Sequence, residues 1–375
     1  MPDQRAILRP RFSLLTLVFL VLLFGACYGL WSRWDPWVCD FVLQSVHRAA
    51  FSPDGRRGIS LSRNGTVYVW DAQTGKEETV LKGLHANLDS AVFTPDGRRI
   101  VTLSREGTAH AWDALTGEES VVPREYADRV FVGGVVFATF SPDCRRIVTV
   151  GVDRIARVWD ASTGHEISVF KGQGSILSAA FSFDSRRIAT ANLEGSVRVW
   201  DAATGQERIE FNRHIMQVFS VAFSSDAQRI VTAGKDGTVR VWDSETGRER
   251  VVLYGHTEGV ASAVFSPDDQ QIVTVGLDCT VRVWDAGTGS ELALLTGHNT
   301  WVSAASFSPD GRRIVSVSAD GAARVWARRS PEYWWGIAWL PEFWVAMLSG
   351  GGLLAIAIRN LRKRRPSPPP AQNPP

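Results

Sequence analysis

The stretch VASAVFSPDDQQIVTVGLDCTVRVWDAGTGSELALLTGH, Val260 to His298, decides the fold. It divides into four short runs, VASAVF, QIVTVG, TVRVW and ELALL, each alternating or β-branched. Turn chemistry closes them: Ser266-Pro267-Asp268, then Asp278, then Thr288-Gly289. Runs of five or six such residues between turn signals read as β-strands, so this stretch predicts four strands, a to d, in meander order.

Working outward, the same pattern repeats along most of the chain. Trp-Asp pairs stand at Trp70, Trp112, Trp159, Trp200, Trp242 and Trp284, and a seventh copy ends at Trp326 with Ala327 in place of Asp. The steps between these Trp residues are 42, 47, 41, 42, 42 and 42. A four-stranded unit with a period of about 42 residues is one propeller blade; it cannot bury its own faces alone, but a ring of such units can. The high counts of fifteen Trp and thirty-three Gly residues fit this reading, with the seven repeated Trp as wedges between blades and many Gly in turns. On these motifs the chain, over residues 38–327, resembles the WD-repeat family. The repeated SPDGRRIV style resembles its bacterial members. The resemblance implies an all-β, seven-bladed β-propeller of four-stranded antiparallel blades, acting as a scaffold for protein partners.

The resemblance also implies a hydrogen-bonded tetrad in each blade: a His before strand a, a hydroxyl in strand b, an Asp in the b–c turn and the Trp of strand c. The matching residues are His214, Thr232, Asp236 and Trp242 in the fifth repeat. They are His256, Thr274, Asp278 and Trp284 in the sixth, and His298, Ser316, Asp320 and Trp326 in the seventh. Repeats two and four carry Glu106 and Glu194 at the Asp position, repeat one carries Asn64, and repeats one to four lack a His in register, His85 being one residue off. Repeats five to seven are therefore expected to be the stiffest. A hydroxyl, His and Asp together invite a catalytic reading, but groups that recur blade after blade at buried turns read as structural.

The seventh repeat stops after strand c, which would leave an open sheet edge. DFVLQS, Asp40 to Ser45, aligns with the strand-d ending ETVLKG, Glu78 to Gly83. Residues 38–43 are thus expected to lend the missing strand, through a following loop about four residues shorter than in repeat six. Both flanking segments then leave the ring on the face of the a–b and c–d turns.

Those flanks are apolar. Residues 12–31 carry no charge over twenty residues, about 30 Å as a helix, which is the hydrocarbon thickness of a bilayer. A basic tail, residues 1–11, precedes them. Residues 333–358 combine an interfacial aromatic segment with a second span, and a basic, Pro-rich tail follows over residues 359–375. The sequence thus predicts two transmembrane helices flanking the propeller. Eight Arg and Lys residues in the tails, against Arg33, Arg328 and Arg329 beside the propeller, place both tails in the cytoplasm and the propeller outside it. A cleaved signal peptide with a single C-terminal anchor is the alternative.

The net charge is +2 with 21% charged residues, which gives no basic domain and excludes a nucleic-acid partner on charge and aromatic pattern. Cys27, Cys39, Cys144 and Cys279 form no CxxC pair. HExxH, GxSxG, a P-loop and Cys/His clusters are all absent, so no metal, cofactor or catalytic residue is assigned. Paired arginines in the a–b turns read as a solvated face, offset by Asp and Glu nearby. On the opposite face, the d–a and b–c turns are expected to expose Leu88, Leu193, Ile215, Met216, Leu277 and Trp301, with Trp301 foremost as a partner-binding residue. The longer segment before repeat three, Val122 to Gly134, is expected to protrude there. The function expected is a membrane-anchored scaffold binding protein partners through that face. The alternative is an extracytoplasmic ligand sensor or enzyme using the propeller channel.

Overall fold

A computed structural model describes residues 37–81, 88–104, 109–119, 135–151, 153–161, 163–170 and 174–328. The two predicted spans, both tails and the segment before repeat three lie outside the described residues. Among the described residues no helix is long and apolar enough to cross a membrane.

Strand β1 (Trp37–Leu43) precedes the first blade, which is β2 (Val46–Phe51), β3 (Arg57–Ser62), β4 (Val67–Asp71) and β5 (Glu77–Val80). The second holds β6 (Leu88–Phe93), β7 (Arg99–Ser104) and β8 (Ala109–Asp113). A bridge from Trp112 to Glu119 stands where its fourth strand would begin. The third is β9 (Val135–Phe140), β10 (Arg146–Gly151), β11 (Ala156–Asp160) and β12 (Glu166–Phe170); the fourth is β13 (Ile176–Phe181), β14 (Arg187–Asn192), β15 (Val197–Asp201) and β16 (Glu207–Phe211). The fifth is β17 (Val218–Phe223), β18 (Arg229–Gly234), β19 (Val239–Asp243) and β20 (Glu249–Leu253); the sixth is β21 (Val260–Phe265), β22 (Gln271–Gly276), β23 (Val281–Asp285) and β24 (Glu291–Leu295). The seventh has only β25 (Val302–Phe307), β26 (Arg313–Ser318) and β27 (Ala323–Arg328) of its own, and β1 completes it in the order β1-β27-β26-β25. Each a strand neighbours the next, and β25 meets β2, so the seven sheets close into a ring.

The closure by β1 fixes where the ring begins and ends. Trp37 packs against Phe307 with ring centroids 6.3 Å apart, and Phe307 ends strand a at the a–b turn. Trp37 and Trp326 share one core cluster. Entry and exit are therefore side by side on the lower rim, the face of the a–b and c–d turns.

The core is a set of wedges between blades. Strand b is buried along almost its whole length in every fully described blade, as in IVTVG of β22, because both of its faces meet a neighbouring sheet. Val239, Val241 and Leu253 of the fifth blade, for example, pack on Val260, Ile272 and Trp284 of the sixth. A fully buried side chain of this size contributes roughly 1.5–3 kcal/mol.

The a–b turns carry a second interblade device. Ser or Thr bonds the Asp two residues on, as Ser224 Oγ does to Asp226 at 2.5 Å. The following left-handed position is non-glycine in four blades: Cys144, Ser185, Ala227 and Asp269. The arginine opening strand b of one blade reaches the carbonyl at this position in the next. Arg146 reaches Ser185 at 3.3 Å, Arg187 reaches Ala227 at 2.7 Å, and Arg229 reaches Asp269 at 2.7 Å. Of each arginine pair predicted to face solvent, the first member is exposed, while the second is at least partly buried in every blade but the second. The alternation of strand b explains the split, since successive side chains take opposite faces.

Candidate functional site: the upper rim

The upper rim is built from the b–c and d–a turns. Within a blade the residue after strand b donates its N–H to the residue before strand a. Leu193 donates to Ser175 at 2.9 Å, Lys235 to Gln217 at 2.8 Å, Leu277 to Gly259 at 2.8 Å and Ala319 to Trp301 at 3.1 Å. Neighbouring blades also meet tightly: a Cβ at Gly195, in the b–c turn of the fourth blade, would come 2.7 Å from the Met216 carbonyl of the fifth. The turns are thus held to their own blade and to the next.

The tetrads anchor this rim from below. In the fifth blade His214 Nδ1 lies 3.0 Å from Asp236, Nε2 lies 2.8 Å from the Thr232 hydroxyl, and Trp242 Nε1 donates to that hydroxyl at 2.8 Å. The sixth repeats this with His256 to Asp278 at 3.0 Å, His256 to Thr274 at 2.8 Å and Trp284 to Thr274 at 2.7 Å. Asp236 also accepts the N–H of Ile215 at 3.3 Å, and Asp278 that of Thr257 at 3.1 Å. Burial alone would raise the Asp236 carboxyl, but hydrogen bonds from His214 and Thr238 outweigh it and hold it below the usual carboxylate range. For His256, burial outweighs Asp278 and lowers the imidazole.

The seventh tetrad departs from the expected form. His298 Nε2 is 2.8 Å from Ser316, and Trp326 Nε1 donates to Ser316 at 2.9 Å. Nδ1, however, stands 3.8 Å from Asp320 and instead accepts from Arg324 at 2.8 Å. The borrowed strand supplies the reason. In the fifth and sixth blades the arginine of strand c pairs with the first glutamate of strand d, Arg240 with Glu249 and Arg282 with Glu291 at 2.5 Å. Counting back four residues from the strand end, β1 offers Cys39 at that position, so Arg324 turns inward. Burial, with the Arg324 charge beside it, pushes His298 down to about 4.

The tryptophan link persists without a His in the second to fourth blades: Trp112 to Thr102 at 2.9 Å, Trp159 to Thr149 at 2.8 Å and Trp200 to Thr190 at 2.9 Å. In the first blade it fails. Gly58 takes the strand-b place of Ile100, Ile147, Ile188, Ile230, Ile272 and Ile314, and the Trp70 indole fills the vacated space. Trp70 Nε1 is left buried without a partner.

Of the side chains expected on the upper rim, Ile215 is 84% exposed, Met216 49% and Trp301 47%. Leu193 and Leu277 are half-buried. Leu88 corrects the expectation: it is 8% exposed and packs with Ile59, Leu81 and Ala91. It opens strand a, at the inward position that Val46, Ile176, Val218, Val260 and Val302 fill elsewhere. Sequence reasoning missed Tyr254, which is 71% exposed in the turn after β20. The signal was present in LYGH, where repeat seven has LTGH. Ile215, Met216, Tyr254 and Trp301 lie in three successive d–a turns, leading into the fifth, sixth and seventh blades.

Among the described residues no group of three His, Cys, Asp or Glu is placed to hold a metal ion. Cys144 and Cys279 carry free thiols.

No curated protein matches the chain. The family model for the WD domain, G-beta repeat, matches residues 38–71, 129–160, 164–201, 205–243, 247–285 and 289–327. The unit around Trp112 falls outside these segments, yet its strands form the second blade. With more than half of its length matched and all seven units in place around the ring, the chain belongs to the WD domain, G-beta repeat family.

Proposed function

We propose that the chain is a membrane-anchored scaffold that holds a protein partner on the upper rim of its propeller. Propellers of this family are typically protein-interaction scaffolds and generally non-catalytic. The observation that carries the reading is the run of Ile215, Met216, Tyr254 and Trp301 across successive turns. Large apolar and aromatic side chains left in water on a rigid base are the usual anchors of a protein interface. The lower-rim entry and exit of the ring support anchoring from below, because the apolar segments 12–31 and 333–358 continue from those ends. Both tails are assigned to the cytoplasm and the propeller to the other side, on the arginine and lysine bias of the tails.

The test uses the full chain in its native membrane, with chemical cross-linking and affinity capture. Trp301→Ala combined with Met216→Ala should lose the captured partner. Phe183→Ala, at an exposed position in the a–b turn of the fourth blade on the lower rim, should retain it. Capture that survives the first change and fails with the second would overturn the assignment of the face. A reporter fused after Pro375 is expected on the cytoplasmic side; the opposite result would overturn the orientation.

A further inference from the structure

The closure of the ring leaves a recess on the upper rim between the seventh and first blades. Six residues separate β16 from β17, β20 from β21 and β24 from β25, whereas only Gln44 and Ser45 separate β1 from β2. Six minus two leaves four loop residues missing at the seam between the seventh and first blades. In their place is a cavity of about 360 Å3, lined by Gln44, Ser45, Ser62, Arg63, Asn64 and Asp320 with Gly321.

The shortened turn also strips the seam of its usual partners. In the fourth to seventh blades the residue after strand b donates its N–H to the residue before strand a. In the first blade those residues are Arg63 and Ser45. Ser45 takes a left-handed backbone with φ 60°, and Arg63 makes no such bond. The Arg63 side chain is exposed and donates one N–H to the Ala319 carbonyl at 2.6 Å. Among the described residues no carboxylate pairs with it. The other charge at the recess, Asp320, is already engaged: it accepts the N–H groups of Asn299 at 3.3 Å and Ala322 at 2.8 Å and lies 3.6 Å from Arg324. Gln44, Ser45 and Asn64 add side-chain amide and hydroxyl donors.

A recess rimmed by an unpaired guanidinium and neutral donors suits an anionic acceptor, and a carboxylate matches the guanidinium fork. Its position ties it to the apolar run. Arg63 bonds the carbonyl of Ala319, whose own N–H is held by Trp301. We infer that the recess between the seventh and first blades takes an aspartate or glutamate side chain of the protein partner whose apolar contacts fall on Trp301, Tyr254 and Met216. The partner's loop stands where the missing d–a residues stand at other junctions, with its carboxylate on Arg63. This inference rests on the upper-rim reading above.

The test is selection of peptides from a random library displayed as internal loops, against the full chain held in lipid nanodiscs. Peptides retained by the native chain should combine an acidic residue with apolar ones. Selection against Arg63→Ala should lose the acidic enrichment and keep the apolar one; selection against Trp301→Ala should do the reverse. A peptide chosen by the native chain should bind Arg63→Ala about tenfold more weakly, as expected for loss of a charge-assisted hydrogen bond. Arg63→Lys should recover part of this and show the steeper salt dependence of a point charge. Selected peptides without acidic enrichment, or an enrichment that persists in Arg63→Ala, would overturn the recess as a carboxylate site. Peptides indifferent to Trp301→Ala but sensitive to Arg63→Ala would overturn the upper-rim reading and leave the recess standing.

Discussion

Arg324 donates to Nδ1 of His298 at 2.8 Å, so that nitrogen carries no proton and Nε2 does. His214 and His256 face carboxylates through Nδ1 and hold the opposite tautomer, because a carboxylate accepts and a guanidinium only donates. The difference has a titration consequence. His298 protonates in the folded chain near pH 4, while an unfolded histidine does so near pH 6.5. Below pH 6.5 the unfolded state therefore binds a proton that the folded state refuses. Stability contributed by the neutral ring is complete above that pH and falls by about 3 kcal/mol on approaching pH 4. His256, lowered in the same direction by burial, adds to the slope. Arg324→Leu removes the cation and frees Nδ1 to bond Asp320, so this variant should lose less stability between pH 6.5 and pH 4. Denaturant midpoints across that range check it, and equal slopes for the two proteins would contradict the assigned tautomer.

At the scale of the element, the a–b hairpin and the strand it opens bear on a neighbouring blade as much as on their own. Arg187 begins β14 yet spends its guanidinium on the fifth blade, reaching the Ala227 carbonyl at 2.7 Å and the Ser244 hydroxyl at 3.1 Å and lying 5.5 Å from the Phe223 ring centre. Its ion pair with Glu245 adds little, since that carboxylate is largely in water. Arg187→Met keeps the aliphatic packing and should destabilise the fold by about 1.5–3 kcal/mol, because two charge-assisted hydrogen bonds are lost while the Ser244 hydroxyl still donates to the Ala227 carbonyl at 2.7 Å. Arg186→Met, at the exposed neighbouring position, should change stability by less than about 0.5 kcal/mol. Thermal unfolding of the two variants checks the contrast. The same elements show what sequence alone conveys. Strand order, the seven units and the borrowed strand were legible, because the 42-residue period and the alternating runs report burial directly. The split of each arginine pair was not spelled out, since it depends on where strand b begins to within one residue. Leu88 was placed in the loop for the same reason. The loose Trp70 indole depends on Gly58 across the sheet, and the turned Arg324 on a glutamate missing from a strand borrowed over 280 residues away in sequence; single-blade patterns carry neither signal.

For the whole molecule, the closing seam differs from those that join the fourth to seventh blades. Between the seventh and first blades the ring is held by β1, by Phe41 set edge-on to Trp70 with centroids 5.9 Å apart, and by the Val46 N–H on Gly321 at 2.8 Å. The first blade lacks a tetrad, its Trp70 Nε1 is unsatisfied, and its junction loop is four residues short. The fifth and sixth blades have full tetrads and, on the fifth, an arginine strut at each side. A ring whose blades touch only their neighbours opens at its weakest interface. Hydrogen exchange should therefore be slowest in β18, β19, β22 and β23 and faster in β3, β4 and β27. Phe41→Ala should widen the gap. Removing the ring costs about 3 kcal/mol at a packed site, and the loss falls on the seam, so β1, β2 and β27 should exchange before the fifth and sixth blades change at all. Uniform acceleration around the ring would mean that the propeller opens as one cooperative unit, with the borrowed strand no weaker than the rest. The recess over Arg63 would then lie on a surface as rigid as the tetrad-bearing turns, and an acidic loop bound there would gain nothing by bracing the seam. With a weak seam, such a loop spans the one junction that opens first, and occupancy of the recess should slow exchange in β1 and β27 together.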